Sequence, residues 1–172
     1  MATPQHIAEE LLSGYTNAHV ATERLTSTVV FSSPSPPFRQ ARLLLNERWG
    51  EGGRKVLHIH APTNLHPAPG GQHFVVATLV GNDAIEPNPK EIQEELISWF
   101  GSQVSHWTHV LTTKVRYALP HIDPNHHART LPELEFDGVY VVGDHRTHPS
   151  VQGALASAER LLKHFEIPFP QR

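Results

Sequence analysis

The feature that most constrains the fold is a strand-to-helix unit near the end of the chain, at residues 136–165. The continuous apolar run at residues 139–142 predicts a fully buried strand, and Gly143 ends it. A short polar loop leads to Pro149, a residue type favoured in the first turn of a helix. These signals predict a strand, a turn that contains Gly143 and Asp144, and a helix that begins near Pro149.

The helix is predicted from apolar residues that recur at steps of three and four, which places them on one face. Those residues are Val151, Ala154, Leu155, Ala158, Leu161, Leu162 and Phe165. A carboxylate that follows a strand can accept hydrogen bonds from sugar hydroxyls, and the amides of a helix N-terminus favour an anion. The unit can therefore hold a polyhydroxylated, phosphorylated cofactor, but a Gly-Asp pair after a strand is equally typical of an ordinary turn.

Length and composition narrow the class of protein. The 172 residues suit one domain or slightly more, and the formal net charge of -3 gives no basic surface for nucleic acid. The absence of cysteine excludes disulfides, thiolate metal sites and a cysteine nucleophile, and it favours an intracellular compartment. Because no apolar run approaches the roughly 20 residues that span a bilayer, we predict a soluble protein without a transmembrane segment. The cytoplasm is the favoured location, and a plastid is the alternative.

The residue patterns upstream of this unit predict an α+β fold with a mixed or antiparallel sheet. A short amphipathic helix is predicted over residues 5–13. Four strands are predicted: residues 25–33, from their β-branched and aromatic residues, residues 42–46 and 55–60, which flank a hairpin loop, and residues 73–80. A second helix is predicted over residues 89–100, with Pro89 at its first position and Gly101 at its end, and a strand follows over residues 107–119.

These elements predict three parts of the chain. Residues 1–23 form an N-terminal helical segment, residues 24–120 form a mixed β-sheet domain with the helix at 89–100, and residues 121–172 form a loop followed by the strand-helix element. A complete dinucleotide-binding fold needs parallel strands joined by helices. In this chain only the last strand-to-helix connection resembles part of such a fold.

Histidines offer a second kind of chemistry. His58 and His60 are two apart on a predicted strand and so face the same side, and His66 and His73 follow closely. Imidazoles in such a pattern can bind Zn²⁺ or a similar cation. No carboxylate lies at a recognisable ligand spacing, so ordinary surface or hydrogen-bonding histidines are the favoured interpretation and we assign no metal site.

Two further motifs carry little functional signal. The glycine-rich segment at residues 50–55 begins like a dinucleotide fingerprint, but Lys55 occupies the place of the third glycine and no helix follows. Ser150 lies at a strand-to-helix turn, as a hydrolase serine does, but residues 149–153 lack the first glycine of the GxSxG elbow. A hairpin loop and a helix-capping serine are the interpretations that we favour.

The unit resembles a known flavoprotein segment. The sequence Gly-Val-Tyr-Val-Val-Gly-Asp at residues 138–144, followed by Pro-Ser-Val-Gln-Gly-Ala-Leu-Ala-Ser at residues 149–157, is similar to the C-terminal FAD-binding segment of the flavin-containing amine oxidase and phytoene desaturase superfamily. Three upstream features agree with that family in order: Leu-Ile-Ser-Trp-Phe-Gly at residues 96–101, Trp107, and Val-Arg-Tyr-Ala-Leu-Pro at residues 115–120. The resemblance covers residues 24–165, but only the C-terminal part of the family's usual length.

The resemblance implies a set of cofactor-binding residues. They are Gly143, Asp144, Ser150, Val151, Gln152 and Gly153. By this similarity Asp144 hydrogen-bonds the ribityl chain of FAD, the amides of Val151 and Gln152 approach the pyrimidine edge of the flavin, and Gly153 keeps the helix start uncrowded. Ala158 departs from the family, which commonly has glycine there. No catalytic residue is assigned.

The family's N-terminal GxGxxG unit, which holds the pyrophosphate, has no counterpart here, and neither has the acidic residue for the adenosine ribose. The resemblance therefore implies the C-terminal portion of an FAD-dependent oxidoreductase that passes a hydride from a C-N or C-C bond of an amine or unsaturated small molecule to the flavin. We expect weak retention of FAD by this chain alone. We also expect a nucleotide-binding half in trans or a homo-oligomer. The alternatives are a non-catalytic binding or assembly module and, less favoured, a histidine-ligated metalloprotein.

Overall fold

The structure, a computed structural model, describes residues 5–12, 23–120, 134–136 and 138–166. Helices and strands both contribute substantially to these residues, which confirms the predicted α+β class. The chain divides into two compact units: one is Leu25–Arg116, and the other combines Met1–Arg24 with Tyr117–Arg172. The three-part domain division made from the sequence stays a prediction.

The first unit is built on a five-stranded sheet with the strand order β2-β3-β4-β1-β5. The strands are β1 (Glu23–Ser33), β2 (Leu43–Leu45), β3 (His58–His60), β4 (His73–Val80) and β5 (Thr108–Pro120). Adjacent strands pair antiparallel from β2 to β3, from β3 to β4 and from β4 to β1. All five strands lie where the sequence predicted them, with ends that differ by at most three residues, and β4 has the predicted bounds.

One face of this sheet forms the core. Val75, Ala77 and Leu79 on β4 are fully buried, whereas the residues between them are only half-buried. Because side chains alternate along a strand, this pattern gives the sheet one packed face and one open face. Helix α2 (Pro89–Phe100) contributes Ile92 and Leu96 to the same core cluster.

The ends of α2 follow from local sequence signals. The side chain of Asn88 accepts a hydrogen bond from the amide of Lys90, which is the usual N-cap geometry, and Pro89 takes the first helical position. The helix ends at Gly101, whose φ of 71° lies in the region that favours glycine. The bounds predicted from these residues are confirmed.

A carboxylate on α2 holds the segment that leads into β3. Glu95 accepts hydrogen bonds from the backbone amides of Lys55, at 2.8 Å, and Val56, at 3.2 Å. The Lys55 ammonium also contacts the Glu91 carboxylate at 2.5 Å. This hydrogen bond is the main cause that raises the pKa of Lys55 and lowers the pKa of Glu91. The contacts fix the position of β3 and of its two histidines relative to α2.

The second unit contains helix α1 (Gln5–Leu12), strands β6 (Leu134–Phe136) and β7 (Val139–Val141), and helix α3 (Val151–His164). The two strands pair antiparallel, and Val141 packs with Ala8 and Leu12 of α1. Strand β6 was not predicted from the sequence. The loop that was predicted to begin at residue 121 lies outside the described residues as far as residue 133.

The prediction of a fully buried strand at residues 139–142 is wrong for its first two residues, since Tyr140 is only half-buried and Val139 is exposed. Val141 and Val142 are buried, but the Val139 side chain is 40% exposed. The physical reason is that β7 belongs to a two-stranded sheet, so its first residues lack a second layer to cover them.

None of the helices in the described ranges combines the length and the apolar character needed to cross a membrane.

Candidate cofactor-binding site

The predicted site residues lie on one continuous path from β7 to α3. After Gly143 the chain makes one 3-10 turn, Asp144–Arg146, and then reaches Ser150, which is the N-cap of α3. The Ser150 hydroxyl accepts a hydrogen bond from the Gly153 amide at 2.9 Å, so the predicted capping role is confirmed. Pro149 precedes the cap, so its predicted place in the first helical turn is wrong.

Three hydrogen bonds fasten this loop to the side of α3. The amide of Gly143 donates to the Ser157 hydroxyl at 3.2 Å, and the Thr147 hydroxyl donates to the Gly153 carbonyl at 2.7 Å. Farther along the helix, Nη2 of Arg160 donates to the Arg146 carbonyl at 3.2 Å. The loop is therefore held to the helix at its first residue, Gly143, and in its middle, at Arg146 and Thr147.

Gly153 lies at the tightest point between the loop and the helix. A Cβ atom at this position would lie 1.9 Å from the His148 carbonyl oxygen and 2.7 Å from the Thr147 hydroxyl oxygen. Carbon and oxygen atoms do not approach so closely, so no side chain fits without a shift of the loop. The clearance that Gly153 supplies is thus used by the chain's own loop.

The buried face of α3 lies opposite the apolar face that the sequence identifies. Its buried residues are Gly153 and Ser157, whereas the Val151 and Leu155 side chains are 74% and 60% exposed. The loop approaches the helix so closely that only small residues fit between them. The apolar residues of α3 therefore share a face, as predicted, but that face lies away from the loop.

Two helix amides remain available to a ligand. Gly153 is satisfied by the Ser150 cap and Ala154 by the Ser150 carbonyl. Within the described residues, no hydrogen bond engages the amides of Val151 and Gln152, which are the first two of α3. Unpaired amides at a helix N-terminus carry partial positive charge, so these two can bind an anionic or electron-rich group.

Asp144 lies at the start of the 3-10 turn with its carboxylate partly accessible. The side chain is 30% exposed, and Oδ1 lies 3.9 Å from Nδ1 of the largely buried His145. At this separation the two side chains do not form a hydrogen bond with each other. The carboxylate thus keeps acceptor capacity for hydroxyl groups of a ligand.

The histidine pair on β3 is not joined by a third metal-ligating side chain among the described residues. His58 and His60 face the same side, as predicted, with ring centroids 6.5 Å apart. In the part of the chain that the structure describes, no three histidine, aspartate or glutamate side chains come together as metal ligands. Burial first, and then the neighbouring His60, lower the pKa of His58. His58 is therefore uncharged at neutral pH.

The lowered pKa of His58 predicts a pH dependence of stability. The neutral imidazole is favoured by the fold, so the stabilisation is complete above the ordinary value of 6.5 and is lost as the pH falls below it. Urea unfolding at pH 7.5 and 5.5 should show a smaller loss of free energy of unfolding at low pH in His58→Gln than in wild type. The exposed loop residue His66 provides the control variant His66→Gln, which should keep the wild-type slope; equal slopes for all three proteins would contradict the prediction.

Sequence reasoning did not identify the residues that hold the loop. Ser157, Thr147 and Arg160 have no motif-level signal of ligand binding, because their contacts are to the chain's own backbone. One signal was present in the spacing: Gly153 and Ser157 are small residues four apart, so they share a helix face that can approach another segment closely.

Comparisons with known proteins find similarity among solved structures. The sequence matches no protein-family model and no curated protein. The structure is similar to that of an oxidoreductase from Methanosarcina mazei, with a TM-score of 0.56 and 18% identity, over 91% of this chain and 37% of that chain. A protein assigned as a protoporphyrinogen oxidase from Exiguobacterium sp. 255-15 has a TM-score of 0.64 and 17% identity, over 96% of this chain and 40% of that chain.

The PF1083 protein from Pyrococcus furiosus is a third neighbour, with a TM-score of 0.51 and 14% identity, over 95% of this chain and 36% of that chain. This chain therefore spans about two fifths or less of the length of the structures that it matches. At such low identity the similarity concerns the fold alone. At that level it agrees with the predicted resemblance: the chain has the fold of one part of two larger proteins, one described as an oxidoreductase and the other as a protoporphyrinogen oxidase.

Proposed function

We propose that this chain supplies the flavin-edge part of an FAD-dependent oxidoreductase of the amine oxidase type. The observation that carries the proposal is the pairing of two unengaged helix amides, those of Val151 and Gln152, with the accessible Asp144 carboxylate on one loop. The loop is fixed by the hydrogen bond from Gly143 to Ser157 and by the close approach at Gly153. These groups match the needs of a flavin, which has hydroxyls on its ribityl chain and an electron-rich ring edge.

In this proposal, residues of this chain bind the flavin and orient it. Asp144 accepts hydrogen bonds from the ribityl hydroxyls, and the amides of Val151 and Gln152 stabilise negative charge at the pyrimidine edge of the ring. Ser150 and Ser157 keep these groups in place through the cap and through the Gly143 amide. When bound, FAD supplies the oxidising chemistry by accepting a hydride from a C-N or C-C bond of the substrate. We assign no acid or base to this chain.

The pyrophosphate and adenosine parts of FAD require binding residues that this sequence does not supply. The sequence has no GxGxxG unit for the pyrophosphate, and the chain spans only 37% and 40% of two oxidoreductase neighbours. We propose that a nucleotide-binding half in trans, or a second copy of the chain, completes the site. We place the activity in the cytoplasm, because a chain with no cysteine suits a reducing compartment.

A second candidate is a non-catalytic assembly module with the same fold. The observation that favours it is the apolar face of α3, where Val151 is 74% and Leu155 is 60% exposed. A face of this kind on a soluble domain is typical of a contact with another polypeptide. The two candidates differ in whether the chain binds a flavin.

Flavin binding tests the proposal directly. The proposed contacts reach only the ring and the ribityl chain, which riboflavin, FMN and FAD share. Quenching of flavin fluorescence by the purified chain should therefore give three dissociation constants within about tenfold of one another, since that range corresponds to only about 1.4 kcal/mol. A far tighter constant for FAD would place adenosine recognition on this chain and contradict the assignment. Absence of binding by all three would favour the assembly module.

A further inference from the structure

The 3-10 turn that carries Asp144 is attached to α3 just before its first residue and again at its last residue. The Gly143 amide donates to the Ser157 hydroxyl at 3.2 Å, and the Arg146 carbonyl accepts from Nη2 of Arg160, also at 3.2 Å. Ser157 and Arg160 are three residues apart on α3, so their side chains leave the same side of the helix. Asp144 therefore lies between two points at which the chain is fixed to α3.

The turn has only two backbone hydrogen bonds of its own. The Arg146 amide donates to the Gly143 carbonyl, and the Thr147 amide donates to the Asp144 carbonyl, both at 3.1 Å. Hydrogen bonds of this 3-10 type have poorer geometry than those of an α-helix, and a single such turn is only weakly stable by itself. The shape of the turn therefore depends on its attachments to α3, and the guanidinium of Arg160 is the attachment at its last residue.

The exposure of the side chains shows which group the turn presents to a ligand. Arg146 is only 8% exposed, and the His145 side chain is covered to the same degree. The Asp144 side chain is 30% exposed, so its carboxylate is the accessible group of the three-residue turn. A shift of the turn therefore changes the position of this carboxylate directly.

Arg160 differs from the neighbouring cation of α3 in its surroundings. Arg160 is half-buried with its Nε atom shielded from solvent, whereas the Lys163 side chain is 71% exposed and pairs with Glu159 on the helix surface. Covering part of a guanidinium group is unfavourable unless its N–H groups are hydrogen-bonded, and a hydrogen bond from a charged donor is stronger than one from a neutral donor. The contact of Arg160 with the turn is therefore a firm one.

We propose that Arg160 is a positioning residue of the candidate flavin site. Through the Arg146 carbonyl it fixes the turn, and the turn orients the Asp144 carboxylate toward the ribityl hydroxyls. Arg160 itself touches no ligand. The inference rests on the proposed function, because that function gives Asp144 its contact with the ribityl chain. It adds that Arg160 controls affinity for the ribityl chain and leaves affinity for the flavin ring unchanged.

Two flavins separate these effects: riboflavin, and lumiflavin, which has the same ring and a methyl group in place of the ribityl chain. Each is titrated by fluorescence quenching into wild type, Arg160→Met, Asp144→Ala and the double variant. Arg160→Met should weaken riboflavin about tenfold, because a displaced carboxylate loses most of a charge-assisted hydrogen bond. Lumiflavin should change by less than about twofold, because its ring contacts are independent of Asp144.

The double variant tests whether Arg160 acts through Asp144. Once Asp144 is alanine, Arg160→Met should weaken riboflavin no further, because two residues that act through one contact are not additive. Arg160→Lys keeps a charged donor and should retain part of the riboflavin affinity, and it replaces Arg160→Met in every comparison if circular dichroism shows that the methionine variant does not fold. The matched control Lys163→Met removes an exposed cation from α3 and should leave both affinities unchanged.

The outcomes distinguish this inference from the proposed function. Equal weakening of riboflavin and lumiflavin by the Arg160 variants, or additive effects of the Arg160 and Asp144 substitutions on riboflavin, would overturn the positioning role while flavin binding by wild type still stands. Wild-type riboflavin affinity in Arg160→Met would also overturn it. A wild-type chain that binds neither flavin would overturn the proposed function and the positioning role together.

Discussion

Replacing Gly153 with alanine is expected to destabilise the protein by roughly 3 kcal/mol, the upper end of the range usually observed when a well-packed site is overfilled. The added Cβ would lie 1.9 Å from the His148 carbonyl oxygen, which is backbone and cannot rotate away. Alanine is a better helix former than glycine by only about 1 kcal/mol. The steric conflict therefore outweighs the gain in helix propensity, and the loop must move off the helix.

Urea unfolding followed by far-UV circular dichroism measures this loss. The matched control is Gln152→Ala, which adds the same residue type one position earlier, where the side chain is exposed, and should change stability by less than about 0.5 kcal/mol. Loop displacement has its own signature: the Gly143 amide, which donates to Ser157, should lose protection from hydrogen exchange in Gly153→Ala. Wild-type stability together with wild-type protection would show that the close approach does not exist.

The parts of the fold that were predicted from sequence are those fixed by local signals. Helix α2 combines an Asn88 cap, Pro89 at its first turn and Gly101 at its end, and each acts within a few residues. Strands β1 and β4 are long enough for their β-branched residues to show a clear pattern. Strand β6 has three residues and exists because it pairs with β7, so its own sequence carries little signal.

The candidate site shows which structural features the spacing of apolar residues does not determine. The spacing of Val151, Leu155 and Phe165 identifies residues on one face of α3, but it does not determine which face meets the rest of the chain. That choice depends on how closely the preceding loop crosses the helix, which is set by the contacts of Gly153 and Ser157. The cap at Ser150, by contrast, depends only on adjacent residues and was predictable.

The candidate flavin site makes a second large prediction: Asp144→Ala is expected to weaken riboflavin, FMN and FAD to a similar degree. Hydrogen bonds to a charged group contribute about 1.5 to 3 kcal/mol, so the loss corresponds to roughly 10- to 150-fold in affinity. The three ligands should be affected alike because the ribityl chain is common to all of them. Asp144→Asn keeps the shape and one acceptor oxygen, and it should fall between wild type and alanine.

A stability measurement and a matched charge-removing variant separate a loss of flavin binding from unfolding of the protein. Within the structure Asp144 is partly exposed and lies 3.9 Å from His145, so its loss should cost little free energy of unfolding. Glu159→Ala removes one carboxylate from α3, where it pairs with Lys163 at 2.9 Å, and it should leave flavin affinity unchanged. Titrations of flavin fluorescence on all four proteins decide the outcome. Equal affinities of wild type and Asp144→Ala would remove Asp144 from the site, because no other described carboxylate lies on the loop between β7 and α3.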